Sequence, residues 1–271
     1  MTLFAHQMPE VIHEIIVIDN ALDRGYKERL DHGITLIGGD NTAWEFSAWD
    51  RGIDFLGSRL DDYDFIHLAT SAFQQLYVGY LGRFDTDILR LVMGRSVAVG
   101  HIDFHNDAVV LFGRAVQSWL RSSFVFLPPV ELRLLGSLVS VTERGTFFSG
   151  DHTSPFHAEA PLSEIYRRNI LNWLTSDGTG QGTEWHSRFI LSEETLDFFE
   201  DKTTAILNEQ MLTIRLHTQG CNIVDTTWLA TYAERADPAG RPLKVIPNWR
   251  EQVTSRDIDA APAAIIYPCK T

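Results

Sequence analysis

Along this chain, short unbroken apolar runs alternate with stretches in which apolar residues recur every three or four positions. Residues 14–19 (EIIVID) form one such run ending in Asp, the pattern of a buried parallel strand. Residues 34–37 form a second. Residues 44–56 carry Phe46, Trp49, Ile53 and Leu56 at helical spacing, which predicts a helix with one apolar stripe. A third strand is expected at 65–68, and 72–84 reads as a helix. Further strands are expected at 96–99 and 108–111. This alternation predicts an α/β fold with a mostly parallel, Rossmann-related sheet flanked by helices. Ligands of such sheets bind at the carboxyl ends of the strands.

The second half is less regular. Residues 124–129 are apolar and end in two prolines, and 132–141 suits a strand or a short helix. Residues 145–161 hold two Pro and two Gly and read as a loop, followed by a helix over 162–174. The glycine-rich 176–183 (SDGTGQGT) suits a mobile loop. Ser192 is placed to cap a helix whose first turn carries Glu193 and Glu194. That helix runs toward Gly220, with a break expected near Asn208. Five of the ten prolines lie from Pro238 onward. The expected division is therefore a domain at 1–230 and an extension at 231–271, packed on the domain or on a partner.

Charge narrows the classes. The net charge of −13 argues against non-specific nucleic-acid binding and against a polybasic membrane surface. A hydrophobic content of 44 % supports a sizeable core. The two cysteines, Cys221 and Cys269, form no metal-ligand pair. The first residues lack the basic and apolar regions of a secretory leader, and no run is long enough to span a membrane. The expectation is a cytoplasmic protein, peripheral to the inner membrane only through partners. Homo-oligomerisation stays open.

Five segments can carry chemistry. Asp19-Asn20 ends an apolar strand, where a carboxylate can accept from a base imide or a ribose hydroxyl, or can simply cap the next turn. Gly38-Gly39-Asp40-Asn41 is a turn before a helix whose N-terminus can receive a diphosphate, aided by Arg51. It is not a GxGxxG motif, which weakens a nicotinamide-binding reading. Ala69-Thr70-Ser71 follows a strand and offers hydroxyls for phosphate, while Asp85-Thr86-Asp87 is expected where a helix ends. His101, Asp103 and His105 alternate along one strand face, suited to a polar cleft wall or to a metal. Finally, Asn208 is expected to cap a helix bearing Glu209 in its first turn, ahead of Met211-Leu212-Thr213-Ile214-Arg215-Leu216 and Gly220.

In order, these segments resemble the GT-A glycosyltransferases of the broad family-two type, including rhamnosyl- and galactofuranosyl-transferases and the rhamnan-synthesis group. The strand IIVIDN, where the family has a strand ending in V-D-N, with GDNTAWEFSAWDRGI, YDFIHLATSAF and NEQMLTIRL-HTQ-G, carries the likeness, over roughly residues 14 to 225. Two departures stand out. Ala69-Thr70-Ser71 occupies the place of Asp-x-Asp, and only about a dozen residues precede the first matched strand.

The resemblance implies inverting transfer of a sugar from a UDP-, dTDP- or GDP-linked donor to a glycan or lipid-linked acceptor, in surface polysaccharide synthesis. Glu209 stands where the family has its catalytic Asp, with Asp103 as the second choice of base. Asp19, Asn20, Asp40, Asn41, Arg51, Thr70 and Ser71 would bind the nucleotide-sugar. Arg51 and Arg215 are candidates to offset the leaving-group charge. His101, His105 and Trp185 would face the acceptor, and Trp44, Trp173 and Trp185 are candidates to stack on sugar. Mg²⁺ or Mn²⁺ is the cofactor the family raises, and the missing Asp-x-Asp argues against it. Two alternatives stand beside this reading: a non-catalytic assembly subunit of the same fold, and a metal enzyme built on His101, Asp103 and His105.

Overall fold

The structure is a computed structural model that describes residues 8–71, 84–175, 188–235 and 243–256. The helix expected at 72–84 lies outside these residues except for its last position, as do the loop at 176–183, Trp185 and Cys269.

Two mixed sheets form the framework, flanked by helices. In the first, β1 (Ile15–Asp19) pairs in parallel with β3 (Ile34–Gly38), and β2 (Lys27–Arg29) lies antiparallel on the other side of β3. In the second, the order is β4 (Ile66–Ala69), β6 (Arg114–Leu127), β5 (Val97–Leu111), β7 (Asn222–Asp225). There β4 and β5 run antiparallel to β6, while β7 is parallel to β5. In place of the expected mostly parallel sheet, antiparallel ladders predominate among the described strands. The reason is local: β5 turns directly into β6 through Phe112 and Gly113, both at positive φ, rather than through a crossover helix.

The helices are α1 (Trp44–Leu56), α2 (Thr86–Arg90), α3 (Pro129–Leu135), α4 (Glu164–Thr175), α5 (Leu196–Thr218), α6 (Thr226–Arg235) and α7 (Trp249–Ser255). α1 matches the expected span and buries Phe46 and Trp49, while Ile53 is partly buried. The strands expected at 96–99 and 108–111 are the two ends of one strand, β5. The polar middle that seemed to separate them remains in the ladder, with irregular register.

α5 is one unbroken helix of 23 residues, so the break expected at Asn208 is absent. Leu212 and Leu216 pack with Phe46, Ala98 and Leu120, whereas Phe199, Ile206 and Leu207 pack with Val109, Phe148 and Tyr166. Burial on two sides holds the helix through its polar centre. Asn208 is fully buried there, its Oδ1 accepting from the backbone N–H groups of Ser140 and Val141. A Ser192–Thr195 capping box opens the turn before the helix.

α6 runs across the expected 230/231 boundary, and α7 beyond it packs back on β7. The buried Gln252 of α7 accepts from Asp225 N–H and donates to Ile223 O. No helix among the described residues is long and apolar enough to cross a membrane.

Candidate active site

The site grows out of an irregularity in the second sheet. Gly100 pairs with Val125 and Ile102 with Leu120, so His101 alone faces four residues of β6, 121–124. Between Phe104–Ser118 and Val109–Val116 the surplus lies on β5 instead. Such bulges break the ladder and re-aim side chains. They also leave backbone N–H groups without strand partners, since β4 ends opposite Phe124 and β7 ends opposite Gly100.

Side chains from the helices and strand ends supply the missing acceptors. On the β6 edge, Thr213 Oγ1 accepts from Leu120 N–H at 2.9 Å, and Glu209 Oε1 accepts from Ser122 N–H. Glu209 Oε2 accepts from the indole N–H of Trp119 at 3.1 Å. On the β5 edge, Asp225 Oδ2 accepts from Ile102 N–H and from the Arg256 guanidinium, both at 2.9 Å. Its Oδ1 caps α6 by accepting from Trp228 N–H.

Three further carboxylates gather around the bulge. Asp103 is held bidentately by Arg121, at 2.8 and 2.9 Å. Glu45, in the first turn of α1, accepts from Ser122 Oγ at 2.9 Å. Glu209, bound to Ser122 and Trp119, is partly buried. Burial, together with the negative charges of Asp103 and Glu45, pushes the Glu209 carboxyl up to about 7, against the opposing pull of its hydrogen bonds from Ser122. Asp103 moves the other way despite its burial, held well below the usual carboxylate range by His101 and Arg121. Neighbouring acids driven apart in this way suit division into a proton acceptor and a fixed charge.

The carboxyl end of β1 joins the same surface. Asn20 donates to Trp44 O at 3.2 Å and to Asn41 Oδ1 at 3.1 Å, and Trp44 precedes Glu45. A continuous path thus runs from Asn20 through Trp44, Glu45 and Ser122 to Glu209. Gly38 and Gly39 make this approach possible: a Cβ at Gly38 would lie 1.7 Å from Asp23 O, and one at Gly39 would lie 2.0 Å from Asn20 Oδ1. The end of β4 also converges here, with Thr70 N–H donating to Ser123 O. Ser123 Oγ and Asn20 Oδ1 are buried without a partner among the described residues. Polar atoms of this kind favour a polar ligand.

The expected residues separate into groups. Asp19 is exposed and caps its own turn through Ala21 N–H, while its backbone O receives Gly39 N–H. Asp40 holds Thr42 and pairs with Arg24. Arg51 donates to Arg24 O. Thr70 and Ser71 follow β4 beside the bulge. His101 lies between two acids, its Nε2 3.5 Å from Asp103 and its Nδ1 3.9 Å from Asp225. His105 is buried: it is 6 % exposed, lies 4.6 Å from the Trp119 ring centre and approaches Gln210. Burial pushes its imidazole down to about 4. Arg215 binds the carbonyls of Leu135 and Ser137, fastening α5 to the end of α3. Trp173 packs against the core around Tyr166.

Two helix assignments change. Asp85-Thr86-Asp87 opens a helix rather than ending one: Asp85 caps α2, and Asp87 pairs with Arg90. Glu209 lies deep in α5 rather than in a first turn. Glu45, Trp119, Arg121 and Ser122 were not anticipated. Their signal is the meeting of acid and base across the bulge, which exists only once β5 and β6 are paired.

No group of three or more His, Cys, Asp or Glu among the described residues is arranged to hold a metal ion. Comparison of the chain with family models, with curated proteins and with solved structures found no match.

Proposed function

We propose that the chain is a GT-A-type glycosyltransferase that moves a sugar from a nucleoside-diphosphate donor to a hydroxyl of a glycan or lipid-linked acceptor, with inversion, in surface polysaccharide synthesis. The observation that carries this reading is Glu209: a carboxyl poised near neutrality where α5, the β6 bulge and the path from the end of β1 meet. A base with that proton affinity accepts a hydroxyl proton at physiological pH and later releases it.

In this reading Asp19 and Asn20 receive the base and ribose, and Thr70 and Ser71 lie toward the phosphates. The acceptor oxygen bonds to the anomeric carbon while the bond from that carbon to the diphosphate oxygen breaks. The bonding pair leaves with the diphosphate, and the acceptor proton passes to Glu209. Asp103, locked to Arg121, stays ionised and keeps the proton affinity of Glu209 high. The donor set does not fit the divalent metal that the fold type raises. Ala69-Thr70-Ser71 offers no carboxylate, and Asp103 is committed to a guanidinium. No step is therefore routed through a metal.

The test is turnover of UDP-, dTDP- and GDP-sugars by the wild type and by Glu209→Gln. Loss of the base should lower kcat by about 10²–10⁴. Turnover unchanged in the variant would refute the assignment of the base. Nucleotide binding without any turnover by the wild type would instead favour the non-catalytic assembly subunit.

A further inference from the structure

One contact of Glu209 plays no part in the transfer step above: the indole of Trp119. Trp119 stands directly opposite Asp103 in the β5–β6 ladder, so the two side chains share a face of the second sheet. Its Nε1–H donates to Glu209 Oε2 at 3.1 Å, while Ser122 N–H holds Oε1. Each carboxyl oxygen is therefore fixed by its own donor. Buried rings pack against the indole in turn. His105 lies 4.6 Å from it between ring centres, and the fully buried Tyr166 ring stands 6.0 Å from His105 at 85°. Gln210, next to Glu209 on α5, approaches the His105 imidazole at 3.4 Å. A side chain packed in this way is held in one orientation.

The donors distinguish the two acids. Asp103 is gripped by a guanidinium, whose permanent charge favours the ionised carboxylate. Glu209 is gripped by a backbone amide and an indole, both neutral. An indole N–H only donates. It favours the ionised carboxylate by a hydrogen bond, without adding a positive charge. The remaining charged or titratable neighbours come from four elements. Asp103, His101 and His105 are on β5, Arg121 on β6, Glu45 on α1 and Tyr166 on α4. Burial pushes the His105 imidazole down to about 4, so at neutral pH it meets the indole as an uncharged ring. Burial and the charge of Glu209 push the Tyr166 phenol up, so it too stays neutral.

We propose that Trp119 is the positioning residue of the base: its indole N–H, buttressed by His105, aims Glu209 and sets the pH at which Glu209 ionises. The inference rests on the glycosyltransferase reading for what the base does, and adds to it the residue that orients the base.

The test is NMR of full-length protein carrying ¹³C-labelled Glu and ¹⁵N-labelled Trp, titrated from about pH 5 to about pH 9. In the wild type one Glu carboxyl resonance should titrate at about 7 and be missing from Glu209→Gln. One indole N–H resonance should follow the same midpoint and lose that dependence in Glu209→Gln. Trp119→Phe keeps a ring against His105 and removes the donor, so the Glu209 midpoint should rise by about one pH unit. With a sugar-nucleotide that the wild type turns over, kcat/KM should fall about fivefold at about pH 7 and return toward wild type by about pH 9. A merely loosened site would not recover in this way. A Glu209 midpoint unchanged in Trp119→Phe would overturn the proposal and leave the transferase reading standing. So would a wild type in which no indole resonance follows Glu209, a measurement that decides the matter even if Trp119→Phe does not fold. Wild type that shows both titrations but turns over no UDP-, dTDP- or GDP-sugar would overturn the transferase reading and leave the hold of Trp119 on Glu209 standing.

Discussion

Glu209 links the site to stability in a way that can be measured without knowing the substrate. Its carboxyl is held at about 7 in the fold, against 4.5 as the ordinary value. The folded state therefore binds this proton more tightly than the unfolded state, by roughly 2–3 kcal/mol after allowing for solvent at its exposed edge. For a raised value, the associated stability is fully present below pH 4.5 and is lost as pH rises through about 7. Two histidines act with the opposite sign. His67 is pushed down to about 3 and His105 to about 4 by burial, so stability is lost as pH falls below 6.5. The raw pH profile sums these effects, so the informative quantity is the difference between wild type and Glu209→Gln. Urea unfolding of both proteins from about pH 4.5 to about pH 8 gives that difference as a gap in ΔG. The gap should shift against the wild type by roughly 2–3 kcal/mol over this range, mostly between about pH 5 and pH 7.5. A gap that stays flat within about 0.5 kcal/mol would show that Glu209 titrates as an ordinary surface acid, and the base assignment would lose its physical ground.

Other outcomes concern the framework that positions the site. Gly38→Ala places a Cβ 1.7 Å from the Asp23 carbonyl, a backbone atom that cannot swing aside. It should destabilise the protein by about 3 kcal/mol or more, seen as a large fall in the urea midpoint. Asn208→Ala removes the acceptor of two backbone N–H groups, from Ser140 and Val141, at a fully buried position. A loss of about 2–4 kcal/mol is expected by the same assay. Asn208→Asp preserves the acceptor and should lose less than Asn208→Ala if that hydrogen bonding sets the cost.

Much of the framework was legible one segment at a time. The apolar run before Asp19, the run at 34–37 and the stripe of Phe46, Trp49, Ile53 and Leu56 each report burial on a face of their own element, so β1, β3 and α1 follow from local order. His101 and Asp103 could be singled out because they alternate along one strand face, and Glu209 because it stands where the resembled family has its catalytic Asp. Asn208-Glu209 misled because Asn favours helix N-caps and a carboxylate favours the first turn. Here the helix continues, since Asn208 and Glu209 spend their polarity on backbone groups of distant segments. The polar middle of β5 misled in the same way, because its side chains meet Arg121 and Trp119 across the ladder.

The sequence by itself determined which stretches are helix or strand wherever one buried face imposes a period, and which acids and histidines were candidates for a site. The tertiary structure decided strand direction, the bulge that sets His101 against four residues of β6, and the meeting of Glu45, Asp103 and Glu209. The Glu45 and Glu209 side chains reach Ser122 from 77 and 87 residues away. A proton affinity arises from the charges and burial gathered around a group. Local pattern carries no record of partners so far along the chain.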